Sequence, residues 1–220
     1  MKKYISYIAL ILAGVILVSC HKDKFDYKPG YVGRSKITTY PIITVKGSDY
    51  VLVTKGGTYN DPGATAKAGA EDVEVKSSTI NVNVAGVYTQ TYTATNVDGF
   101  SATATRHVVV YDTDAGAAAH DYSGNYARNT NGSVVEVTKI APGVYSVFNP
   151  GGAPGTDLTV IAFNDTGTDF YIPQQNASDG SPTSSSQETS VPAPGGKLAG
   201  FNWVIINPTY GPALRIFSKI

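Results

Sequence analysis

Cysteine is almost missing from this 220-residue chain, with Cys20 the only one. No disulfide can form within the molecule, so each domain must be held by its own apolar core. With that one thiol engaged elsewhere, cysteine catalysis and thiolate metal sites would have no residue to use. Histidine is scarce as well: His21, His107 and His120 are dispersed, and no serine sits in a Gly-x-Ser-x-Gly elbow. The usual nucleophile–base arrangement is therefore not legible. Charge is sparse and balanced, with 17 basic and 17 acidic residues. That balance gives no electrostatic reason to expect nucleic acid as a partner. No Gly-rich phosphate loop leads into a helical pattern. Long apolar runs are confined to the start, where residues 5–18 are broken only by Ser6 and Gly14. This stretch is shorter than the roughly 20 residues a membrane-spanning helix needs.

The abundant residues are Tyr, Thr, Gly, Val and Ser. Branched and aromatic side chains suit a pleated surface, while Gly and Pro punctuate turns, so the chain reads as all-β. Its first twenty residues have a different character. Lys2 and Lys3, the apolar run and Leu17-Val18-Ser19-Cys20 resemble the signal peptide and lipobox of bacterial lipoproteins. The resemblance implies removal of residues 1–19 and lipidation of Cys20. The basic count then falls from 17 to 15 against 17 acidic residues, a net charge of about −2. Residues 20–36 lack apolar periodicity and read as a lipidated tether. A flexible tether of that length reaches roughly 20–25 Å. Lys22 and Asp23 loosely resemble the charged signal that sends Bacteroidetes lipoproteins to the cell surface. The expected location is the outer membrane, lipid-anchored and surface-exposed, with the periplasmic face as the alternative.

Residues 37–112 read as a β-sandwich of short strands. Asn60-Asp61-Pro62-Gly63 is a turn in which Pro presets φ and Gly can supply a positive φ. From Gly86 to Thr95 the chain alternates, with Tyr88, Tyr92 and Ala94 on one face and threonines on the other. Asp98-Gly99 turns it back into a last strand ending in Val108-Val109-Val110. Thr58-Tyr59-Asn60-Asp61-Pro62-Gly63-Ala64, Gly86-Val87-Tyr88, Tyr92-Thr93-Ala94-Thr95-Asn96 and Arg106-His107-Val108 resemble bacterial Ig-like domains of HYR type. Gln90 stands where that family usually has an apolar residue, Asn96 where it has Asp, and Phe100 where Asn commonly follows the turn glycine. The resemblance implies a spacer or adhesion module without enzymatic activity.

Residues 113–120 are a small-residue linker, and residues 121–220 form a second antiparallel β domain. Strands are predicted over 124–129, 133–140, 143–149, 158–164, 169–173, 198–207 and 213–219. Asn131-Gly132 and Ala141-Pro142-Gly143 mark hairpin turns, which favours a meander closing into a small barrel or sandwich. Residues 174–197 are rich in Ser, Pro and Gly. They read as a disordered segment, a solvated hairpin extension or a binding loop. Tyr122-Ser123-Gly124-Asn125-Tyr126 and Gly143-Val144-Tyr145 loosely resemble C-terminal domains of Bacteroidetes Ig-like lipoproteins. Such proteins are commonly associated with Sus-type nutrient importers of the outer membrane.

The candidate ligand contacts are aromatic, because a flat ring covers apolar surface at low entropy cost: Tyr145, Tyr171, Trp203 and Tyr210. Alternation puts Phe201, Trp203 and Ile205 on one strand face, which suits a core. Tyr210, beyond the strand and beside Pro208 and Gly211, is the better exposed candidate. Asp165 and Asp169 flank a turn and supply hard oxygen ligands for a weak calcium site, or the acid pair of a hydrolase. Local capping of the turn accounts for them more simply.

The expected function is that of a lipid-anchored envelope accessory protein, not an enzyme. It would bind a glycan or peptide or dock onto Sus-type outer-membrane importer subunits, with membrane contact through the lipid and no nucleic acid partner. The alternatives are a purely structural or adhesion lipoprotein and a hydrolase with an Ig-like spacer.

Overall fold

Alternating Thr, Val and Tyr residues form strands throughout the computed structural model, which describes residues 27–32 and 35–220. Cys20 and the signal sequence lie outside the described residues. The N-terminal unit ends at Thr39 and carries one small hairpin, β1 (Tyr31–Val32) with β2 (Ser35–Lys36). Residues 40–220 make up the second unit.

The sandwich of this unit has a three-stranded sheet in the order β3 (Ile42–Val45), β5 (Ala64–Ala68), β6 (Glu71–Val73). The facing sheet has four strands in the order β4 (Tyr50–Thr54), β9 (Ser101–Tyr111), β8 (Gly86–Thr95), β7 (Val75–Ser77). The β4–β9 pair is parallel and the rest are antiparallel. The β8–β9 turn is fixed by Asn96, whose Oδ1 accepts from the amides of Asp98 at 3.1 Å and Phe100 at 2.8 Å. Tyr92 and Ala94 are buried on the face the alternation predicts, while Tyr88 on that face is only half-buried. Val53, Val108 and Val110 build the sandwich core.

Val108-Val109-Val110 is buried at all three positions, so β9 is covered on both faces. The second cover is the C-terminal domain. Val87 and Val109 pack in one apolar cluster with Ala141, Val144, Ile161 and Phe163. Between the domains, residues 113–120 contain α1 (Ala115–Ala118), a single helical turn where no helix is expected from sequence. This segment is docked. The Asp114 amide donates to the Asp165 carbonyl at 2.8 Å, and Lys139 Nζ donates to the carbonyls of Ala118 and His120.

The C-terminal domain is an eight-stranded antiparallel sheet. Its strands are β10 (Gly124–Arg128), β11 (Val134–Ala141), β12 (Val144–Phe148), β13 (Thr159–Phe163), β14 (Gln175–Asn176), β15 (Pro182–Ala193), β16 (Lys197–Ile206) and β17 (Arg215–Lys219). Their order, β13-β12-β11-β10-β17-β16-β15-β14, places the last strand in the middle, between β10 and β16. The sheet curls into a near-closed barrel around Tyr126, Tyr145, Phe170, Phe201, Trp203 and Phe217. At the seam between β13 and β14 a side chain completes the ladder. Gln175 Oε1 accepts from the Ile161 amide at 2.8 Å, and Gln175 Nε2 donates to the Ile161 carbonyl at 2.7 Å.

One local expectation is corrected and another is narrowed. Residues 169–173 contribute only an isolated bridge between Phe163 and Tyr171, not a strand. Of the readings for residues 174–197, the hairpin holds: β15 pairs with β16 across a turn at Gly195 and Gly196, both at positive φ. The register shifts twice, at a bulge between Ser186 and Thr189 with Gln187 at φ 55°, and again between Val191 and Pro192. Serine and threonine suit this strand because one of its faces is wet.

Candidate functional site

The antiparallel order gives the barrel two distinct ends. The turns at 142–143, 164–174 and 194–196 share the end next to the linker. Loops 129–133, 149–158, 177–181 and 207–214 meet at the opposite, far end.

The four aromatic candidates separate on this frame. Trp203 and Tyr145 are both 0% exposed and are corrected to core residues. Trp203 lies among Phe170, Phe201 and Phe217, and its Nε1 donates to the Pro150 carbonyl at 2.8 Å. Tyr145 donates to the His120 carbonyl at 3.1 Å, and burial pushes its hydroxyl up to about 12. Neither ring has a free face for a ligand. Tyr171, at the linker end, is half-buried. Its hydroxyl donates to Asp165 Oδ2 at 2.9 Å, and burial followed by that carboxylate raises its pKa. Its ring packs edge-on against Phe163 in the cluster shared by the two domains. Tyr210 alone of the four stands at the far end, half-buried over the barrel core.

Around Tyr210 the structure assembles residues that sequence reasoning missed. The guanidinium of Arg215 lies 5.1 Å from the Tyr210 ring centre. Arg215 is 5% exposed and is held by the Ala213 and Gly211 carbonyls at 2.9 and 3.1 Å. Burial, then the charge of nearby Arg128, lowers its pKa. Arg128 Nη1 donates to the Gly151 and Gly152 carbonyls at 3.4 and 3.3 Å, and Asn131 Nδ2 also reaches Gly152 at 3.0 Å. Gly151 is required here, because a Cβ would sit 2.4 Å from the Tyr210 ring. A usable signal existed: Arg215 alternates with Phe217 on an inward-facing register, and a cation at such a position needs a reason.

The Asp165–Asp169 turn is satisfied locally. Asp165 Oδ2 accepts a hydrogen bond from the Tyr171 hydroxyl, Asn164 Nδ2 donates to the Asp169 carbonyl at 2.8 Å, and Thr166 and Thr168 bond each other at 2.9 Å. No hydrogen bond joins the two carboxyl groups. Among the described residues no group of three or more His, Cys, Asp or Glu could hold a metal ion.

In the sandwich, the residues that carried the family resemblance converge on Asp61. Its Oδ1 accepts from Arg106 Nη1 at 3.1 Å, Tyr92 at 2.5 Å and the Gly63 amide at 2.8 Å, while Oδ2 accepts from Gln90 at 2.9 Å. Burial works to raise this carboxyl, but those bonds and the Arg106 charge outweigh it and hold it below the ordinary value. Gln90 is tolerated in the interior because its Oε1 also accepts from Tyr59 and its Nε2 donates to the Ser78 carbonyl, which explains a polar residue at an apolar position. A groove of about 510 Å³ runs beside Tyr59, Asp61 and Gln90, but these polar groups already bond one another, so it ranks below the far end as a site.

Residues 43–110 match the family described as bacterial surface protein, Ig-like domain. The sandwich is an Ig-like domain. Among solved structures, the chain is similar to the lipoprotein BT2262 from Bacteroides thetaiotaomicron, at 22% identity over 82% of this chain and 100% of that one, with a TM-score of 0.40. It is also similar to the M60 catalytic domain with the CBM51-1 and CBM51-2 domains from Clostridium perfringens ZmpB, at 10% identity and a TM-score of 0.28. That likeness covers 84% of this chain and 22% of the other. No curated protein matches the chain. Asp61, Gln90, Tyr92 and Arg106 all fall within the matched Ig-like stretch, with Gln90 the member that departs from the family's usual apolar residue.

Proposed function

We propose that this protein is a lipid-anchored accessory protein of the outer membrane, surface-exposed and without catalytic activity. The Ig-like domain acts as a spacer, and the barrel presents its far end to a glycan or peptide brought to a Sus-type importer. The observation that carries this reading is the far end itself. Four loops gather there around a half-buried tyrosine with an arginine beside its ring. Aromatic surface next to fixed polar groups is what small-ligand recognition uses. The packing of the two domains against each other through Val87, Val109, Ile161 and Phe163 suits a spacer that orients its neighbour. The two histidines among the described residues support a non-catalytic role. His107 stacks on Tyr50, and His120 faces Asn164 and Tyr122 at the linker end.

The intact lipoprotein, screened against glycan and peptide arrays, is expected to bind one class, and Tyr210→Ala to weaken that binding about tenfold or more. Blank arrays would leave a structural or adhesion role. The anchor is tested separately. A fatty-acid probe is expected to label the wild-type chain and not Cys20→Ala, and continued labelling of the variant would refute the lipid assignment.

A further inference from the structure

The far end of the barrel holds two arginines, Arg128 and Arg215, and the carboxylates on its loops, Asp157 and Asp179, pair with neither. Neither Arg128 nor Arg215 forms an ion pair with any carboxylate among the described residues, whereas buried Arg106 has Asp61. Both arginines also leave a buried Nε without a partner. A native fold leaves few such donors unpaired, since each buried unmet group is destabilising and a charged one more so. Two of them on neighbouring arginines mark a demand for negative charge. The detail at Arg128 is informative. Its Nη1 is turned to the carbonyls of Gly151 and Gly152, so the other edge, Nε with Nη2, has no protein partner. That edge is the parallel two-donor fork that receives a carboxylate or sulfate in bidentate fashion. Asn131 and the half-buried ring of Tyr210 complete the surroundings.

We propose that the far end is an oxyanion site built on Arg128 and Arg215, and that its ligand is an acidic sugar. The acidic group, a uronate carboxylate or a sulfate ester, takes the Arg128 fork, and the sugar ring lies on Tyr210. This rests on the ligand-binding reading above and narrows it. A sugar is favoured over an extended peptide because the far end presents turns, not strand edges. The seam that would offer main-chain pairing at β13 is already closed by Gln175. Flat aromatic surface beside a forked cation matches a ring that is apolar on one face and charged at its rim.

Trp203, the only tryptophan, bonds Pro150 under the far-end loop and reports on it by fluorescence. The full-length lipoprotein in neutral detergent is titrated with oligogalacturonate, chondroitin sulfate and neutral oligogalactose, at low and high salt. The expected result is saturable binding of an acidic glycan, weakened at high salt, with the neutral glycan inert. The two acidic arms distinguish carboxylate from sulfate. Arg128→Lys, which keeps the charge and loses the fork, is expected to weaken binding about tenfold, and Arg128→Gln to abolish it. Equal binding of the neutral glycan, unaffected by salt, would overturn the oxyanion site and leave the wider ligand-binding reading standing. No binding of any of the three would overturn the acidic-sugar assignment. Should Arg128→Gln fail to fold by thermal unfolding, the salt dependence of the unmodified protein decides.

Discussion

Asp61 and His107 lie on the same domain and respond to acid in ways that can be told apart. Asp61 is held below the ordinary carboxylate value, so its contribution persists above about pH 4 and is lost only as pH falls further. His107 stacks on Tyr50 at 5.1 Å, its Nδ1 is buried without a partner, and burial lowers its pKa against a smaller opposing pull from Asp49. A base with a depressed folded pKa stays neutral in the native state while the unfolded chain takes up a proton near the usual histidine value of about 6.5. Stability therefore falls as pH drops through that value, well before Asp61 titrates. The urea midpoint is expected to fall between about pH 7.5 and pH 5.5, and His107→Gln to flatten that part of the curve. An equal fall in the variant would place the titration elsewhere.

At the scale of elements, the barrel depends on one glutamine acting as a piece of backbone. Gln175→Leu leaves the Ile161 amide and carbonyl without partners in a buried seam. At roughly 1–3 kcal/mol for each of the two unmet groups, the expected loss is about 2–6 kcal/mol by urea unfolding, with faster exchange of the Ile161 amide. Gln175→Glu is expected to fail too, because a carboxylate accepts from the amide but cannot donate to the carbonyl. A loss below about 0.5 kcal/mol in both variants would show that the seam is closed by other contacts. This element also shows where sequence reading stops. The alternation in β8 and the aromatic-aliphatic register of Phe201, Trp203 and Ile205 were legible, because a strand's period of two is local. The hairpin turns at Asn131-Gly132 and Pro142-Gly143 were legible for the same reason. The seam was not. Gln175 lies in a polar, Ser-rich stretch, and its partner is fourteen residues away on a strand that it does not join by regular pairing. The site was half legible. Tyr210 stood out by its neighbours in sequence, but Arg128 and Arg215 meet only because β17 inserts beside β10, a topology that no local pattern encodes.

Across the whole molecule, the triplet Val108-Val109-Val110 couples the two domains. Val108 and Val110 face the Ig-like core and Val109 faces the barrel, so neighbouring positions report on different layers. Placing a charge at either position buries it at a cost of several kcal/mol unless the surroundings open. At Val108 opening means unfolding the Ig-like domain, and Val108→Asp is expected to remove that domain's transition altogether. At Val109 opening means only that the domains part and the aspartate meets water. Wild-type protein is expected to unfold in a single calorimetric transition, because the shared cluster makes each domain's stability depend on the other. Val109→Asp is expected to split that transition in two while both domains keep their near-native β signal in circular dichroism. A single transition at unchanged temperature in Val109→Asp would mean that the cluster contributes nothing to cooperativity. The far end of the barrel would then be carried on a hinge, and the Ig-like domain could not set its orientation.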